Sequence, residues 1–158
     1  MFVAWYLFYE LYIQKHTKVD LYMINFLIIQ SQFVISLLGY PLIERPYDEI
    51  YRTMGIDGSN GVWIGDSCNG LTLFATFTIF ILAYPGPIRK KIWFIPLGIL
   101  IVHLFNVLRI VALSIIAFYR PEWLDFNHTY TFQILVYFII FLLWIWWANK
   151  LSQSIKKT

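Results

Sequence analysis

The sequence predicts an all-α integral membrane protein: a bundle of four transmembrane helices with a short N-terminal apolar segment and a small extracytoplasmic loop or hairpin. Of the 158 residues, 59% are hydrophobic and only 13% are charged, whereas a soluble domain carries about 25% charged residues. A soluble fold of this length would leave many of these apolar side chains in water. The mean hydropathy of +0.64 points the same way. We therefore exclude a soluble domain.

Four almost uncharged stretches locate the spans, since roughly 20 apolar residues cross a hydrocarbon core about 30 Å thick. They lie at about 21–43, 68–88, 92–119 and 128–149. Each is predicted to be a helix, because an isolated strand cannot satisfy its backbone in lipid. The apolar segment Met1–Ile13 is too short to cross and has no signal-peptide pattern, so it is either an interfacial helix or the remnant of a longer span. Residues 1–158 are predicted to form a single membrane-embedded domain.

The distribution of Lys and Arg predicts the orientation. One set of connecting segments holds eight basic residues and a single acid, Asp20: Lys15, Lys18, Arg89, Lys90, Lys91, Lys150, Lys156 and Lys157. The opposite set holds three basic residues and seven acids: Arg45, Arg52, Arg120, Glu44, Asp48, Glu49, Asp57, Asp66, Glu122 and Asp125. By the positive-inside rule the Lys-rich set, together with the C-terminus, is cytoplasmic. This predicts a multi-pass protein of the cell (inner, cytoplasmic) membrane.

The outer loop from Glu44 to Asp66 contains two strong turn signals, Asp57-Gly58 and Asn60-Gly61. The β-prone residues 62–64 follow. We expect a small hairpin or compact loop here.

The single cysteine lies where this loop becomes the second helix, in Asp66-Ser67-Cys68-Asn69-Gly70. One cysteine cannot make an intrachain disulfide or a multi-Cys metal site. In a first helical turn its thiol would face free backbone N–H groups and the positive end of the helix dipole, which favour a thiolate. Gly70 is expected to let another backbone approach closely. The alternative is that Cys68 is an ordinary packed residue.

Arg109 lies inside the third span, where a guanidinium costs from about 3 to more than 10 kcal/mol. At about 1.5 Å per residue it lies roughly 15 Å from the outer end at Tyr119, and its side chain can extend toward that interface. The alternative is a structural Arg that pairs with an acid such as Asp66 or anchors the helix. Asn106, three residues earlier, is expected to orient the guanidinium or to bond to a neighbouring helix. His103 is interpreted as a hydrogen-bonded structural residue.

His128 lies at the outer start of the fourth span, and an imidazole exchanges protons near neutral pH. Alone it would be interpreted as a cap or an interfacial residue. However, Cys68, Arg109 and His128 belong to three different predicted helices. All three are expected at the same depth and on the same side of the membrane. Cys and His can form an activated nucleophile and its acid–base partner, and a nearby Arg can support a thiolate or an oxyanion. We predict one shared pocket just beneath the non-cytoplasmic headgroups.

With these elements the sequence resembles the exosortase/archaeosortase family of membrane-embedded cysteine transpeptidases, and is most similar to the short branch often called exosortase F. The matching elements are Cys68-Asn69-Gly70 opening a span, Asn106-Val107-Leu108-Arg109 within the next, and His128 before the last. They cover roughly Asp66 to Ala148, about half of the chain. Many relatives have Cys-Ser-Gly or Cys-Gly-Gly at the first element and extra spans at the N-terminus.

The resemblance implies an extracytoplasmic active site of Cys68, Arg109 and His128, with Asn106, Asn69, Gly70 and Asp66 in support. The substrates it implies are secreted proteins with a C-terminal sorting tail: a short motif, a membrane helix and a basic cluster. Cys68 would form a thioester that an amine or water then releases. Arg109 would support the thiolate or oxyanion, and His128 would give a proton to the leaving amine. No metal or organic cofactor is required.

Two other classes of function stay open. The chain could be a small transporter or channel subunit with a polar pathway through Gln30, Gln32, His103, Asn106 and Arg109. It could also be a non-catalytic assembly or polysaccharide-export factor. The enzyme is favoured because the polar groups gather near one face.

The expected partners are the lipid bilayer and tailed secretory proteins. The short groups of basic residues do not favour binding of nucleic acid, and the oligomeric state is left open.

Overall fold

The computed structural model describes residues 19–44 and 52–151. Four helices and a two-stranded hairpin make up this part of the chain: α1 (Val19–Leu37), β1 (Thr53–Met54), β2 (Val62–Trp63), α2 (Leu71–Ala83), α3 (Ile88–Tyr119) and α4 (Pro121–Leu151). The segment Met1–Ile13, whose role the sequence left open, lies outside the described residues.

Three helices of the described residues, α1, α3 and α4, are long and apolar enough to cross a membrane. The predicted second span instead contains α2, an apolar helix of only 13 residues. Its start is set by Gly70, whose positive φ of 87° cannot belong to an α-helix. Beyond its end Pro85 and Pro87 have no N–H to continue the hydrogen-bond ladder.

A basic side chain stabilises the short loop after α2. Lys91 Nζ donates hydrogen bonds of 2.8 and 2.7 Å to the carbonyls of Leu82 and Tyr84, which neutralises the helix C-terminus.

Further into the bundle, α2 and α3 approach each other closely. A Cβ at Gly98 of α3 would lie 2.1 Å from Phe77 Cζ of α2. Because no other residue fits there, α2 packs directly on the α3 backbone.

The predicted first span ends earlier than expected, since α1 stops at Leu37 and Gly39 turns the chain with φ 83°. The following residues run extended beside the hairpin. Leu42 forms a bridge with Ile56, and Ile43 N–H donates to Gly55 O at 3.1 Å. This apolar stretch therefore adds an edge to the hairpin rather than another helical turn.

The hairpin predicted from the Asp57-Gly58 signal is present as two short antiparallel strands, with Thr53 opposite Trp63 and Met54 opposite Val62. Gly58 takes φ 84°, which the turn requires. One face of the hairpin is buried, through Met54, Ile56, Val62 and Ile64. That face packs against α1 and the C-terminal half of α3, so the hairpin is part of the core. Its extracytoplasmic side remains a prediction from the charges.

Two buried clusters meet along α3. The first joins α1, the hairpin, Cys68 and the C-terminal half of α3. The second joins α2, the N-terminal half of α3 and α4. Cys68 belongs to the first cluster and Leu73, shortly after it, to the second. The segment that carries the thiol therefore lies at the boundary between them.

Large apolar side chains cover the outside of the long helices. Phe33, Leu104, Leu108, Phe138 and Phe141 are each more than half exposed in the isolated chain. In lipid such residues need no further burial. This surface agrees with the composition and with a membrane protein.

Both ends of α1 are held by hydrogen bonds to other elements. The buried Asp20 carboxylate accepts a hydrogen bond from Asn69 Nδ2, next to Cys68. At the other end the Tyr40 hydroxyl lies 3.1 Å from the Tyr119 hydroxyl. Asp20, which the charge count groups with the Lys-rich segments, is thus a buried partner of the segment that carries Cys68.

The basic residues in the first turn of α3 lie at the opposite end of the bundle from the thiol. Lys90 Nζ donates to Leu151 O at 3.4 Å, so the start of α3 and the end of α4 are adjacent. Asn106, which contacts the Cys68 segment, is 16 residues further along α3 than Lys90, a rise of about 24 Å. The other Lys-rich positions, at 15, 18, 156 and 157, lie outside the described residues.

Candidate active site

Cys68 closes a 3-10 turn, Asp66–Cys68, that precedes α2. Its N–H donates to Gly65 O at 2.9 Å, and the residue is only 3% exposed. The prediction of a thiol in the first turn of the helix is wrong, because the left-handed Gly70 separates the turn from α2. The N–H of Leu71, which opens the helix, is already bonded at 2.8 Å to Asn69 Oδ1. The first N–H of α2 is therefore not available to the thiol.

Asn106 ties this turn to α3. Its Nδ2 donates a 2.8 Å hydrogen bond to the backbone carbonyl of Cys68, and the side chain is fully buried. Of the two predicted roles, the bond to a neighbouring segment is the one observed. A Cβ at Gly70 would lie 3.4 Å from Asn106 Nδ2 and 3.1 Å from Phe74 Cζ. The close approach expected at Gly70 is thus made by side chains and not by a second backbone.

Arg109 points its guanidinium at the sulfur. Nη2 lies 3.6 Å from Cys68 Sγ, within hydrogen-bond range for sulfur, and Arg109 is only 8% exposed. Within the described part of the chain its buried Nε–H has no hydrogen-bond acceptor. A buried guanidinium with an unused donor is a strong local source of positive potential. It can stabilise negative charge on the sulfur or on an adjacent oxygen.

His128 approaches the sulfur from α4. Its Nε2 lies 3.5 Å from Cys68 Sγ, and the ring is partly buried. It belongs to a π-helical turn, Asn127–Thr131, between the α-helical segments Leu124–Phe126 and Phe132–Trp146. The wider turn changes the direction of the side chains that follow, and such turns are common at functional sites. No residue of this turn is fully buried.

The structure brings Cys68, Arg109 and His128 together at one cavity of about 350 Å³. The sulfur contacts both the Arg109 guanidinium and the His128 imidazole, so the predicted spatial meeting is observed. The other lining residues with polar groups are Thr72, Thr129, Gln133 and Tyr137. A lone Thr, Gln or Tyr in an apolar helix carries no specific signal in the sequence. The arrangement can deprotonate a thiol, hold the thiolate and return the proton.

Two acids lie near the thiol without lining the cavity. Asp66 forms an ion pair with Arg52, with Oδ1 and Nη1 2.7 Å apart. Asp20 accepts from Asn69, as described above, and nothing in the sequence indicates this contact. Both acids hold the segment on either side of Cys68.

His103 lies outside this cavity. Its Nε2 is 2.7 Å from Gln30 Oε1, and the ring stacks on Phe26 with centroids 5.6 Å apart. These contacts agree with the structural interpretation. Gln30 and His103 of the alternative polar pathway thus bond to each other, separately from the Cys68 cavity.

Among the described residues there is no group of three or more His, Cys, Asp or Glu side chains able to hold a metal ion.

The sequence profile of the transmembrane exosortases matches residues 1–147. No curated protein and no solved structure matches the chain. The profile spans most of the chain, including the elements that carry Cys68, Arg109 and His128. The chain therefore belongs to the transmembrane exosortase family, a family of membrane cysteine peptidases and transpeptidases.

Proposed function

We propose that the protein is a thiol protease or transpeptidase that cleaves the C-terminal tail of secreted proteins within the membrane, at its extracytoplasmic face. One observation carries the proposal: Cys68 Sγ lies 3.5 Å from His128 Nε2 and 3.6 Å from Arg109 Nη2 at a common cavity. Three elements supply these groups, and a purely structural thiol needs neither partner. We assign Cys68 as nucleophile, His128 as acid–base residue and Arg109 as the charge-stabilising residue.

Acylation begins with transfer of the Cys68 proton to His128 Nε2. The thiolate attacks the carbonyl carbon of the substrate peptide bond, and the carbonyl oxygen becomes an oxyanion. Arg109 supports the thiolate through Nη2 and offers further N–H donors to the oxyanion. The imidazolium then gives its proton to the leaving nitrogen, the C–N bond breaks, and the amine departs with the membrane helix of the tail. The product is a Cys68 thioester.

Deacylation reverses the proton movements. An acceptor amine or a water molecule gives a proton to His128 and attacks the thioester carbon. A second oxyanion forms and collapses, the C–S bond breaks, and the Cys68 thiolate is released. Transpeptidation and hydrolysis differ only in the nucleophile of this step.

The position of the site supports a membrane-tethered substrate on the outer side. The thiol lies on the half of the bundle away from Lys90, Lys91 and Lys150, which mark a cytoplasmic end under the positive-inside rule. The C-terminus then lies in the cytoplasm. A secreted protein held by one C-terminal helix would present its peptide at this depth. A membrane-impermeant maleimide added to intact cells is expected to modify Cys68, and labelling only after the cytoplasmic side is opened would contradict this orientation.

The decisive experiment is to trap the thioester. Wild-type protein is co-expressed with a secretory reporter that ends in a short motif, a membrane helix and a basic cluster, and an adduct sensitive to hydroxylamine is sought. Cys68→Ala should leave the reporter intact while the variant inserts normally. The matched control is Ser31→Ala, which removes a buried hydroxyl bonded within α1 and should cleave normally. Full cleavage by Cys68→Ala would refute the proposal.

A further inference from the structure

The cavity at Cys68 has walls on three sides. Arg109 of α3 forms the back, Thr72 and Leu73 of α2 form one side, and Gln133 and Tyr137 of α4 lie on the other. No residue of α1 or of the hairpin lines it. The exposed lining residues Thr129, Gln133 and Tyr137 all belong to α4, so the cavity opens along this helix.

The α4 wall carries polar groups at a surface where lipid is the neighbour. Gln133 is exposed and Tyr137 is 48% exposed, while the helix around them, Phe132–Trp146, is otherwise apolar. Within the described part of the chain neither side chain takes part in a hydrogen bond between protein groups. Both side chains are therefore available to bond to a group that enters the cavity.

The wall has the length of a short peptide. Nine residues separate His128 from Tyr137, which corresponds to about 13 Å of helix. At about 3.3 Å per residue, an extended peptide of about four residues spans that distance. The Gln side chain has a carbonyl and an NH₂ group, so it can bond to a backbone N–H and a backbone C=O of the same strand.

We propose that this cavity is a peptide slot open to the lipid, in which Gln133 and Tyr137 hold about four extended residues of the substrate backbone beside Cys68. This rests on the proposed function and names its substrate conformation and entry route. The tail enters sideways between α2 and α4 with its helix still in the membrane. Binding through the backbone tolerates different side chains, so these two residues determine the shape of the substrate and position its scissile bond.

A pair of adjacent aromatic residues allows a matched crosslinking test. Tyr137 lines the slot, whereas Phe138 points elsewhere on α4 and is similarly exposed, at 53%. p-Benzoylphenylalanine is placed at either position in the Cys68→Ala protein, which is co-expressed with the tailed reporter. On illumination position 137 should crosslink the reporter tail at least tenfold more than position 138. Equal crosslinking, or none from position 137, would overturn the slot.

Kinetics provide the second test. Gln133→Leu should raise the KM for the tailed reporter roughly five- to tenfold and change kcat less than twofold, because it removes uniform binding. Gln32→Leu makes the same change on α1, away from the slot, and should leave both constants unchanged. If cleavage requires Cys68 but Gln133→Leu and Gln32→Leu behave alike, the slot is refuted and the protease stands. If cleavage is independent of Cys68, the protease is refuted and the crosslinking pair still decides the slot.

Discussion

Substitution of Asn106 tests whether this residue positions the thiol, because its effect on activity can be measured separately from its effect on the stability of the fold. Asn106→Leu removes the 2.8 Å hydrogen bond to Cys68 O and leaves that buried carbonyl without it, a cost of about 1–3 kcal/mol. Part of this cost is offset, because Asn106 Oδ1 is itself buried with no hydrogen-bond partner among the described residues and is removed at the same time. The net loss of stability should therefore be at most about 2 kcal/mol.

The effect on catalysis should be larger. Without this bond the turn that carries Cys68 is no longer fixed to the helix that carries Arg109, and a displacement of about 1 Å can cost about 100-fold in rate. We expect the variant to be folded in detergent, with a modestly lower Tm, and to cleave the tailed reporter about 100-fold more slowly.

The control for this prediction is another buried polar residue of α3. Ser114 donates its hydroxyl to Ile110 O at 2.9 Å and does not contact the site. Ser114→Ala should change kcat/KM less than twofold. If folded Asn106→Leu retains more than half of the wild-type activity, the argument that Asn106 positions the thiol is refuted.

Three further substitutions test other contacts. Gly98→Ala places a methyl group against Phe77 and should destabilise the protein by about 1–3 kcal/mol, measured by thermal unfolding; an unchanged Tm would contradict the close packing of α2 on α3. Lys91→Met removes two hydrogen bonds at the end of α2 and should lower stability by about 1–3 kcal/mol without changing KM. Arg109→Lys keeps the charge but not the planar set of donors, so cleavage through Cys68 should fall at least tenfold; wild-type turnover would argue against oxyanion support by the guanidinium.

Much of the helical framework could be predicted from the sequence, because apolar length and charge interruptions act locally. The hairpin was predictable for the same reason, since Asp57-Gly58 specifies its turn within a few residues. The length of α2 was not, because an uncharged stretch does not show that Gly70 takes a left-handed conformation. That one backbone angle moves Cys68 out of the helix.

The meeting of sulfur, guanidinium and imidazole was predicted by depth and side alone. The sequence contains no information on the direction of each side chain, which depends on the 3-10 turn before α2 and the π turn at His128. Asp20 could not be placed beside the site from the sequence. It is distant from Asn69 along the chain, and only the structure shows the hydrogen bond between them.

The shortness of α2 has a consequence for the chemistry. Thirteen residues extend about 20 Å, about 10 Å less than a typical hydrocarbon layer. If the loop after α2 lies at one interface, either the bilayer becomes thinner around this helix or Cys68 lies below the opposite headgroups. In the second case bulk solvent would be distant from the proposed thioester, and the lifetime of that thioester before hydrolysis would depend on lipid thickness. Reconstitution in lipids of increasing acyl length should then shift the products from hydrolysis toward transfer to an amine.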